Sequence, residues 1–285
     1  MTELRVGVLG ASSLVGGSVL PILHDADWQV VAFSRAAVAD GLGVTWRRFS
    51  CTDGVEKIPY WVCVAPIWVL TENFSMLQAY GARRVVVLSS TSRFTKIGSD
   101  DEAENIIAAR LIDSEARVQV WAEHHGIEWI ILRPTLIYGL GQDKNISEIA
   151  RFIRRFGVFP VLGQAQGLRQ PIHVKDVAAA CVCALQLAGI ANRAYNISGG
   201  ETCTYRDMVM RVFAALGRRP RLLVVPLWVF RLAVRVLRCL PRYRHWSTAM
   251  AQRMNRDLVF DHAEAARDMG FKPRGFVLAD EDLPG

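Results

Sequence analysis

The sequence predicts an α/β protein with a doubly wound parallel sheet and a smaller carboxy-terminal lobe. Its apolar runs are continuous rather than alternating, which is typical of strands that are covered on both faces. Stretches with helical spacing separate these runs. The first run also ends in a glycine-containing turn that opens a helix. Because crossovers between parallel strands are right-handed, these features together predict a sheet with helices on both of its faces.

The elements follow one another in a regular order. We predict strands at 4–10, 28–35, 60–66, 83–91 and 127–134, a weaker strand at 44–49, and helices at 14–24 and about 101–125. After Gly139 helices dominate, and we expect them at 145–156, 174–188, 204–216 and 227–240. The sequence therefore predicts a sheet domain over 1–139 and a mostly separate lobe over 140–285, with 168–188 returning to the sheet domain.

Length and composition restrict the class of protein. The 285 residues are 51% hydrophobic, enough for one large domain or for two that share a core. The chain has neither the pattern of a signal peptide nor an uncharged apolar run of spanning length, so we expect a cytoplasmic protein. The six cysteines lack Cys-x-x-Cys spacing, which predicts reduced, buried thiols and no metal site.

The positive charge is concentrated in one segment. The chain carries a net charge of +7, yet ten arginines and no acidic residue lie between Arg218 and Arg256. Because the positive charge is confined to one segment, it argues against a protein that binds nucleic acid over its whole surface. It argues instead for an anionic partner at this segment. Within it, 227–244 has an arginine stripe on an apolar helix, which leaves three interpretations open. The helix packs on the lobe, lies in a membrane interface at the inner face of the membrane, or faces a substrate diphosphate.

The first strand leads into the turn GASSLVGG (10–17), which is typical of dinucleotide binding. Gly10 permits a tight turn and Gly16 permits close packing of the helix on the strand. The helix amino terminus offers free N–H groups to a pyrophosphate. Ser13 takes the place of the middle glycine, and its hydroxyl could donate to a phosphate. We therefore expect an NAD(P)-binding Rossmann domain, whose cofactor contacts at this turn are Gly10, Ser12, Ser13, Leu14, Val15 and Gly16.

The end of the second strand indicates which dinucleotide is bound. An acidic residue for the ribose 2′-hydroxyl is missing there, and Ser34 and Arg35 stand in its place. Because the planar guanidinium of arginine binds a 2′-phosphate well, the sequence favours NADP over NAD.

Several segments together resemble the extended short-chain dehydrogenase/reductase family, in its NAD(P)-dependent epimerase/dehydratase branch, which acts on nucleotide sugars. They are GASSLVG, VVVLSST, IILRPTLIYG, RQPIHVKDVAAA and YNISGGETCTYRDMVMRVFAALG, in that order between residues 4 and 217. The resemblance implies a small-molecule substrate such as a nucleotide sugar, or a lipid-linked sugar if the chain lies at a membrane surface. It places Thr91 or Ser90 as the catalytic hydroxyl, and further cofactor contacts at Ala65, Pro66, Ser89, Pro134 and Leu136.

The chain departs from the family in the helix before the last of these strands. The family carries Tyr-x-x-x-Lys there, in which Tyr transfers the proton and Lys holds the ribose and lowers the pKa of Tyr. The resemblance aligns these positions with Leu111 and Glu115, and residues 100–126 contain neither Tyr nor Lys. Leu has no proton to give, and Glu would repel phosphates.

Two functions therefore remain open. In an enzyme of non-standard mechanism, Lys96, Tyr138 or a buried Glu115 would move the proton. In a non-catalytic protein, the chain would bind a dinucleotide as a sensor, scaffold or accessory subunit. Each residue also has an ordinary structural interpretation: Lys96 as a surface charge, Tyr138 as a packing residue with a backbone partner, and Glu115 as a partner of Arg110 or Arg117.

Overall fold

The computed structural model describes residues 4–34, 43–48, 56–226 and 253–285. Its strands are β1 (Arg5–Leu9), β2 (Gln29–Ser34), β3 (Val44–Arg48), β4 (Tyr60–Cys63), β5 (Arg84–Leu88), β6 (Glu128–Pro134), β7 (Ile137–Tyr138), β8 (Phe159–Leu162), β9 (Leu168–Arg169), β10 (Ile172–His173), β11 (Arg193–Ile197), β12 (Cys203–Thr204) and β13 (Leu222–Val225). Its helices are α1 (Leu14–Asp25), α2 (Ile67–Thr71), α3 (Phe74–Ala79), α4 (Ser92–Thr95), α5 (Glu102–His124), α6 (Ile146–Phe156), α7 (Val174–Gln186), α8 (Tyr205–Ala215) and α9 (Ala263–Met269).

Seven strands form the central sheet in the order β11-β6-β5-β4-β1-β2-β3. Every neighbouring pair in it is parallel. The chain thus winds outward from β1 in both directions, which confirms the predicted doubly wound sheet. The weak strand expected at 44–49 is β3 at the sheet edge. The helix expected at 227–240 lies outside the described residues.

Alternate residues of the inner strands enter two different cores, because successive side chains point to opposite faces. Val6, Val8 and Val30 pack with α1 and α7 on one face. Leu9 and Phe33 pack on the other face, with residues of α2, α3 and α5. A sheet buried on both faces explains why its strands are apolar without alternation.

The lobe has a third core and several short strand pairs. β8 pairs with β13, β9 with β12 and β7 with β10. Helices α6 and α8 pack over this region, around Tyr138, Phe159, Phe213 and Phe276. The chain then returns to the sheet domain: α7 packs on α1 and β11 extends the main sheet beside β6. Among the residues that the structure describes, no helix is both long and apolar enough to span a bilayer.

Candidate functional site

The glycine turn packs the start of α1 tightly against the sheet. Gly10 has a φ of +83°, and a Cβ on it would lie 2.5 Å from the Ala65 nitrogen. A Cβ on Gly16 would lie 2.4 Å from the carbonyl oxygens of Gly10 and Ala11. Both positions therefore require glycine, one for its backbone angle and its contact with β4, the other for the approach of helix to strand. This geometry fits the close passage of a pyrophosphate.

Ser13 has a different task from the predicted one. It is the N-cap of α1, and its Oγ accepts a hydrogen bond from the Gly16 N–H at 3.1 Å. Its hydroxyl donates to the Val64 carbonyl at 3.4 Å rather than toward a phosphate. In the described part of the chain the N–H groups of Leu14 and Val15 have no acceptor, as expected for a first helical turn. The turn would thus bind a phosphate through backbone N–H groups.

The residues predicted to contact the adenosine lie at the ends of β2 and β4. Ser34 ends β2, and Arg48 of the edge strand β3 is its partner in the ladder. Ala65 and Pro66 follow β4, and Pro66 precedes the short helix α2. Arg35 lies outside the described residues, so its contact with a 2′-phosphate stays a prediction.

The three hydroxyls after β5 face different partners. Ser89 donates to the Glu115 carboxylate at 2.5 Å. Ser90 Oγ accepts at 3.1 Å from the N–H of Ser92, the first residue of α4. Thr91 is buried and donates to the carbonyl of Pro134 at 3.1 Å, joining the ends of β5 and β6. Ser90 and Thr91 line the large cavity described below, as does Leu136.

Glu115 lies at the centre of a buried charge cluster. The residue is 1% exposed. Arg133 donates to its carboxylate from Nη2 at 2.6 Å and from Nε at 3.1 Å. Arg93 of α4 pairs with the same carboxylate, and Ser89 adds a fourth donor group. Each carboxylate oxygen thus accepts from at least two donor groups, and the two arginines leave the cluster with a net charge of +1.

This arrangement corrects the structural partners predicted for Glu115. Arg110 pairs instead with Glu72 at 3.4 Å, and Arg117 with Asp113 at 3.7 Å. The carboxylate is buried, as a base would require, but it is enclosed by donors and does not line the cavity. We therefore do not place Glu115 in proton transfer.

Leu111 belongs to the core beneath the same helix face. It is 6% exposed and packs in the cluster that includes Val118 and Trp121. Glu115 is covered by Arg93 of α4 and Leu111 by its core neighbours, so neither side chain is open to a ligand. The face of α5 to which the resemblance assigns the proton-transfer pair is therefore a packing surface.

A cavity of about 720 Å³ lies between the ends of β5 and β6 and the lobe. Its floor is formed by Ser90, Thr91 and Thr135, and its other walls by lobe residues and by the segment after Arg253. A volume of this size is typical of small-molecule sites. It lies at the carboxyl ends of the strands, where ligands bind in doubly wound folds.

Lys96 is the predicted proton donor that lines this cavity. It follows α4 and is half-buried. Burial lowers the pKa of its ammonium group, with the nearby Arg253 adding to the effect while Glu104 and Asp101 oppose it. A lowered pKa makes lysine a better proton-transfer group near neutral pH.

Tyr138 does not reach the cavity. It is fully buried in the lobe core, with its ring edge-on to His173 and Phe276. Its hydroxyl donates to the Val277 carbonyl at 3.2 Å, and burial raises its pKa to about 12. Tyr138 is therefore a packing residue with a backbone partner, and it is no longer a catalytic candidate.

The resemblance places Arg133 beside the cofactor, but sequence reasoning did not identify the contacts that complete the site. Arg93 and Arg133 come from α4 and β6, and only the fold brings them to Glu115. Tyr205, Phe152 and Arg253 reach the cavity from three separate lobe segments. Spacing along the chain carries no signal for such contacts, because the partners are far apart in sequence.

Residues 71–198 match the sequence profile described as the NAD dependent epimerase/dehydratase family. The resemblance predicted from the sequence is confirmed. A UDP-glucose 4-epimerase of Vibrio cholerae is 23% identical over 202 residues, which cover 68% of this chain and 59% of that protein. A 2-alkyl-3-oxoalkanoate reductase of Stenotrophomonas maltophilia is 24% identical over 253 residues, covering 75% of this chain and 76% of that protein. The chain spans about half the length of the first curated relatives that it matches.

Solved structures share this fold. The crystal structure of a UDP-N-acetylglucosamine 4-epimerase from Bacillus cereus superimposes with a TM-score of 0.70, over 95% of this chain and 91% of that one. The two sequences are 17% identical, so the likeness shows the fold alone. The extended Rossmann-type fold predicted from the sequence is thereby confirmed.

Proposed function

We propose that this chain is an NAD(P)-binding, epimerase- or reductase-like enzyme of non-standard mechanism that acts on a small molecule in the cavity. The observation that carries the proposal is that Lys96, Ser90 and Thr91 line a cavity at the carboxyl ends of β5 and β6, the same edge of the parallel sheet at which the glycine turn follows β1. When bound, the nicotinamide would supply or accept a hydride. The names of the Vibrio and Stenotrophomonas proteins denote epimerisation of UDP-glucose and reduction of an oxo acid, and both support chemistry of this class.

The protein groups would act on the substrate oxygen. Lys96 would give a proton to that oxygen during carbonyl reduction, or take one from it during alcohol oxidation. Ser90 would orient the oxygen from the cavity floor, while Thr91 keeps the floor in place through its bond to Pro134. NADP is the dinucleotide that we propose, on the prediction made for Arg35.

The test separates dinucleotide binding from turnover. NADPH and NADH are titrated by fluorescence, and nucleotide sugars and oxo acids are then screened for cofactor oxidation or reduction and for epimerised product. We expect saturable NADPH binding and weaker NADH binding. We also expect turnover that Lys96→Met abolishes without loss of NADPH binding, whereas Lys272→Met, at an exposed position, changes neither. Absence of binding to both dinucleotides would contradict the proposal.

The buried cluster around Glu115 favours a second candidate, a non-catalytic dinucleotide-binding sensor, scaffold or accessory subunit. In this function the α5 face has become a structural core and Lys96 a charge near the cavity. NADPH binding without turnover of any substrate in the same screen would favour this candidate over the enzyme.

A further inference from the structure

The cavity has two chemically different halves. Its floor, at the strand ends, is polar, with the hydroxyls of Ser90, Thr91 and Thr135 and the ammonium group of Lys96. Its opposite wall comes from the lobe and from the segment after Arg253. That wall is mostly apolar, with Phe152, Phe159, Met208, Met254 and Leu258 beside the single hydroxyl of Tyr205, while Phe260 packs on Phe94 of α4 near the floor. A ligand that fills both halves must itself be polar at one end and apolar at the other.

The two arginines of the cavity are already engaged. Arg169 is 4% exposed, and its guanidinium donates to the carbonyls of Leu168 and Arg256 at 2.7 and 2.8 Å and to that of Arg253. It also lies over the Tyr205 ring. Arg253 pairs with the buried Glu104 at 2.6 Å. Neither guanidinium therefore offers its planar fork to a diphosphate without giving up these partners.

The two lysines of the cavity are different. Lys96 stands beside the floor, and Lys144 is exposed at the edge. Neither forms a salt bridge within the described chain, and the carboxylate of Glu148 nearby pairs with Arg151 at 2.8 Å. Both ammonium groups can therefore bind the polar end of a ligand, and that end should be negatively charged.

We propose that the cavity takes an anionic amphiphile, with its charged end toward Lys96 and its apolar chain along the lobe wall. The inference rests on the proposed function, because the reacting carbon would lie at the strand ends. A nucleotide sugar would place its ribose and base hydroxyl, amide and carbonyl groups on a wall that gives them few partners, which disfavours it. An oxo fatty acid and a lipid-linked sugar phosphate share the required chemistry.

The experiment compares three ligands by calorimetry on the full chain loaded with NADPH: a 3-oxo fatty acid, a prenyl monophosphate and UDP-glucose. We expect saturable binding of an amphiphile, with an affinity that rises with chain length. Binding of the oxo acid alone assigns a carboxylate head group, and binding of the prenyl phosphate alone assigns a phosphate. Binding of UDP-glucose alone, or of none of the three while NADPH still binds, overturns this inference but leaves dinucleotide binding intact. Loss of NADPH binding would instead contradict the proposed function.

Two matched pairs of variants locate the ligand. Phe152→Ala should weaken amphiphile binding about tenfold or more, the effect of losing one large apolar contact. Phe156→Ala should weaken it clearly less, because Phe156 is 54% exposed and outside the cavity and only supports the Phe152 ring, with 4.6 Å between the ring centroids. Lys96→Met should abolish any preference for the acid over its methyl ester, whereas Lys272→Met should keep it. Circular dichroism verifies folding, and equal weakening by both Phe variants would overturn the placement.

Discussion

Glu115 and Arg133 form an ion pair with three contacts at the end of β6, with Arg133 Nη2 2.6 Å from Oε2 and its Nε 3.1 Å from both carboxylate oxygens. The pair lies where the family resemblance places a lysine. Arg93 of α4 also pairs with this carboxylate, so the buried anion links α4, α5 and β6. Its role in this fold is structural, and the first prediction follows from that.

Replacement of Glu115 by Gln should destabilise the protein strongly. The substitution leaves Arg93 and Arg133 close together without their counter-ion, and breaking a buried pair in this way typically costs about 3 kcal/mol or more. Urea unfolding measures the change. Glu72→Gln is the matched control, because the Glu72–Arg110 pair is 60% and 50% exposed and should contribute less than about 1 kcal/mol. Equal effects of the two substitutions would contradict the structural role.

Alanine substitutions at two adjacent glycines of α1 should change the stability of the protein in opposite directions. Gly16→Ala places a methyl group against two carbonyl oxygens, so we expect a loss of about 1–3 kcal/mol and of NADPH binding. Gly17→Ala places it in open space on the exposed side of the helix, where alanine should stabilise by up to about 1 kcal/mol. Thermal unfolding and NADPH titration check both. NADPH binding by Gly16→Ala at wild-type affinity would be incompatible with a cofactor on this turn.

Arg84 should contribute more to stability than its neighbour Arg83. The buried Arg84 side chain donates to the carbonyls of Ala184, Leu187 and Ile190 at 2.7–2.8 Å, at and beyond the end of α7, and pairs with Glu128. Arg84→Met leaves these carbonyls without a donor and should cost about 3 kcal/mol. The exposed Arg83→Met should change the free energy of unfolding by less than about 0.5 kcal/mol. Denaturant titration of both variants decides between these outcomes.

Asp282 of the carboxy-terminal segment bonds to His173 at the start of α7, and acid should remove the stability that this contact provides. Burial acts to raise the pKa of Asp282, but the N–H groups of Ala279 and Leu140 and the His173 ring at 2.9 Å together hold it below its ordinary 3.8. Because the folded-state pKa is the lower one, the stabilisation is present above pH 3.8 and is lost as the pH falls through the folded value.

The measurement is the free energy of unfolding against pH for Asp282→Asn. We expect this variant to be less stable than wild type near neutral pH, with a difference that shrinks below about pH 4. Asp280→Asn serves as control, since Asp280 is exposed in the same short 3₁₀ helix, Asp280–Asp282. A difference that does not depend on pH would show that the Asp282 charge is not involved.

The sheet could be predicted from the sequence because its signals are local. Continuous apolar runs mark strands buried on both faces, and even the weak run at 44–49 is the edge strand β3. The glycine turn is equally local, since the need for glycine at positions 10 and 16 comes from backbone contacts nearby in the chain and at β4.

The site could be predicted only in part, because its partners come from distant segments. The sequence shows that α5 lacks Tyr and Lys, but not that Arg93 and Arg133 enclose Glu115. It suggests Tyr138 as a donor, yet whether a tyrosine at a strand end points to a cavity or into a core depends on the lobe that packs on it. Lys96 reaches the cavity through the turn of α4, a four-residue helix that apolar periodicity does not reveal.

The enclosed carboxylate also has an evolutionary consequence. A lysine at position 115 would stand as a third cation beside Arg93 and Arg133, and a tyrosine at position 111 would have to enter a filled core. Each of these single substitutions is therefore opposed by neighbours that fit the present residues. Positions 93, 111, 115 and 133 should consequently change as a group among relatives of this chain, because a change at one of them no longer suits the other three.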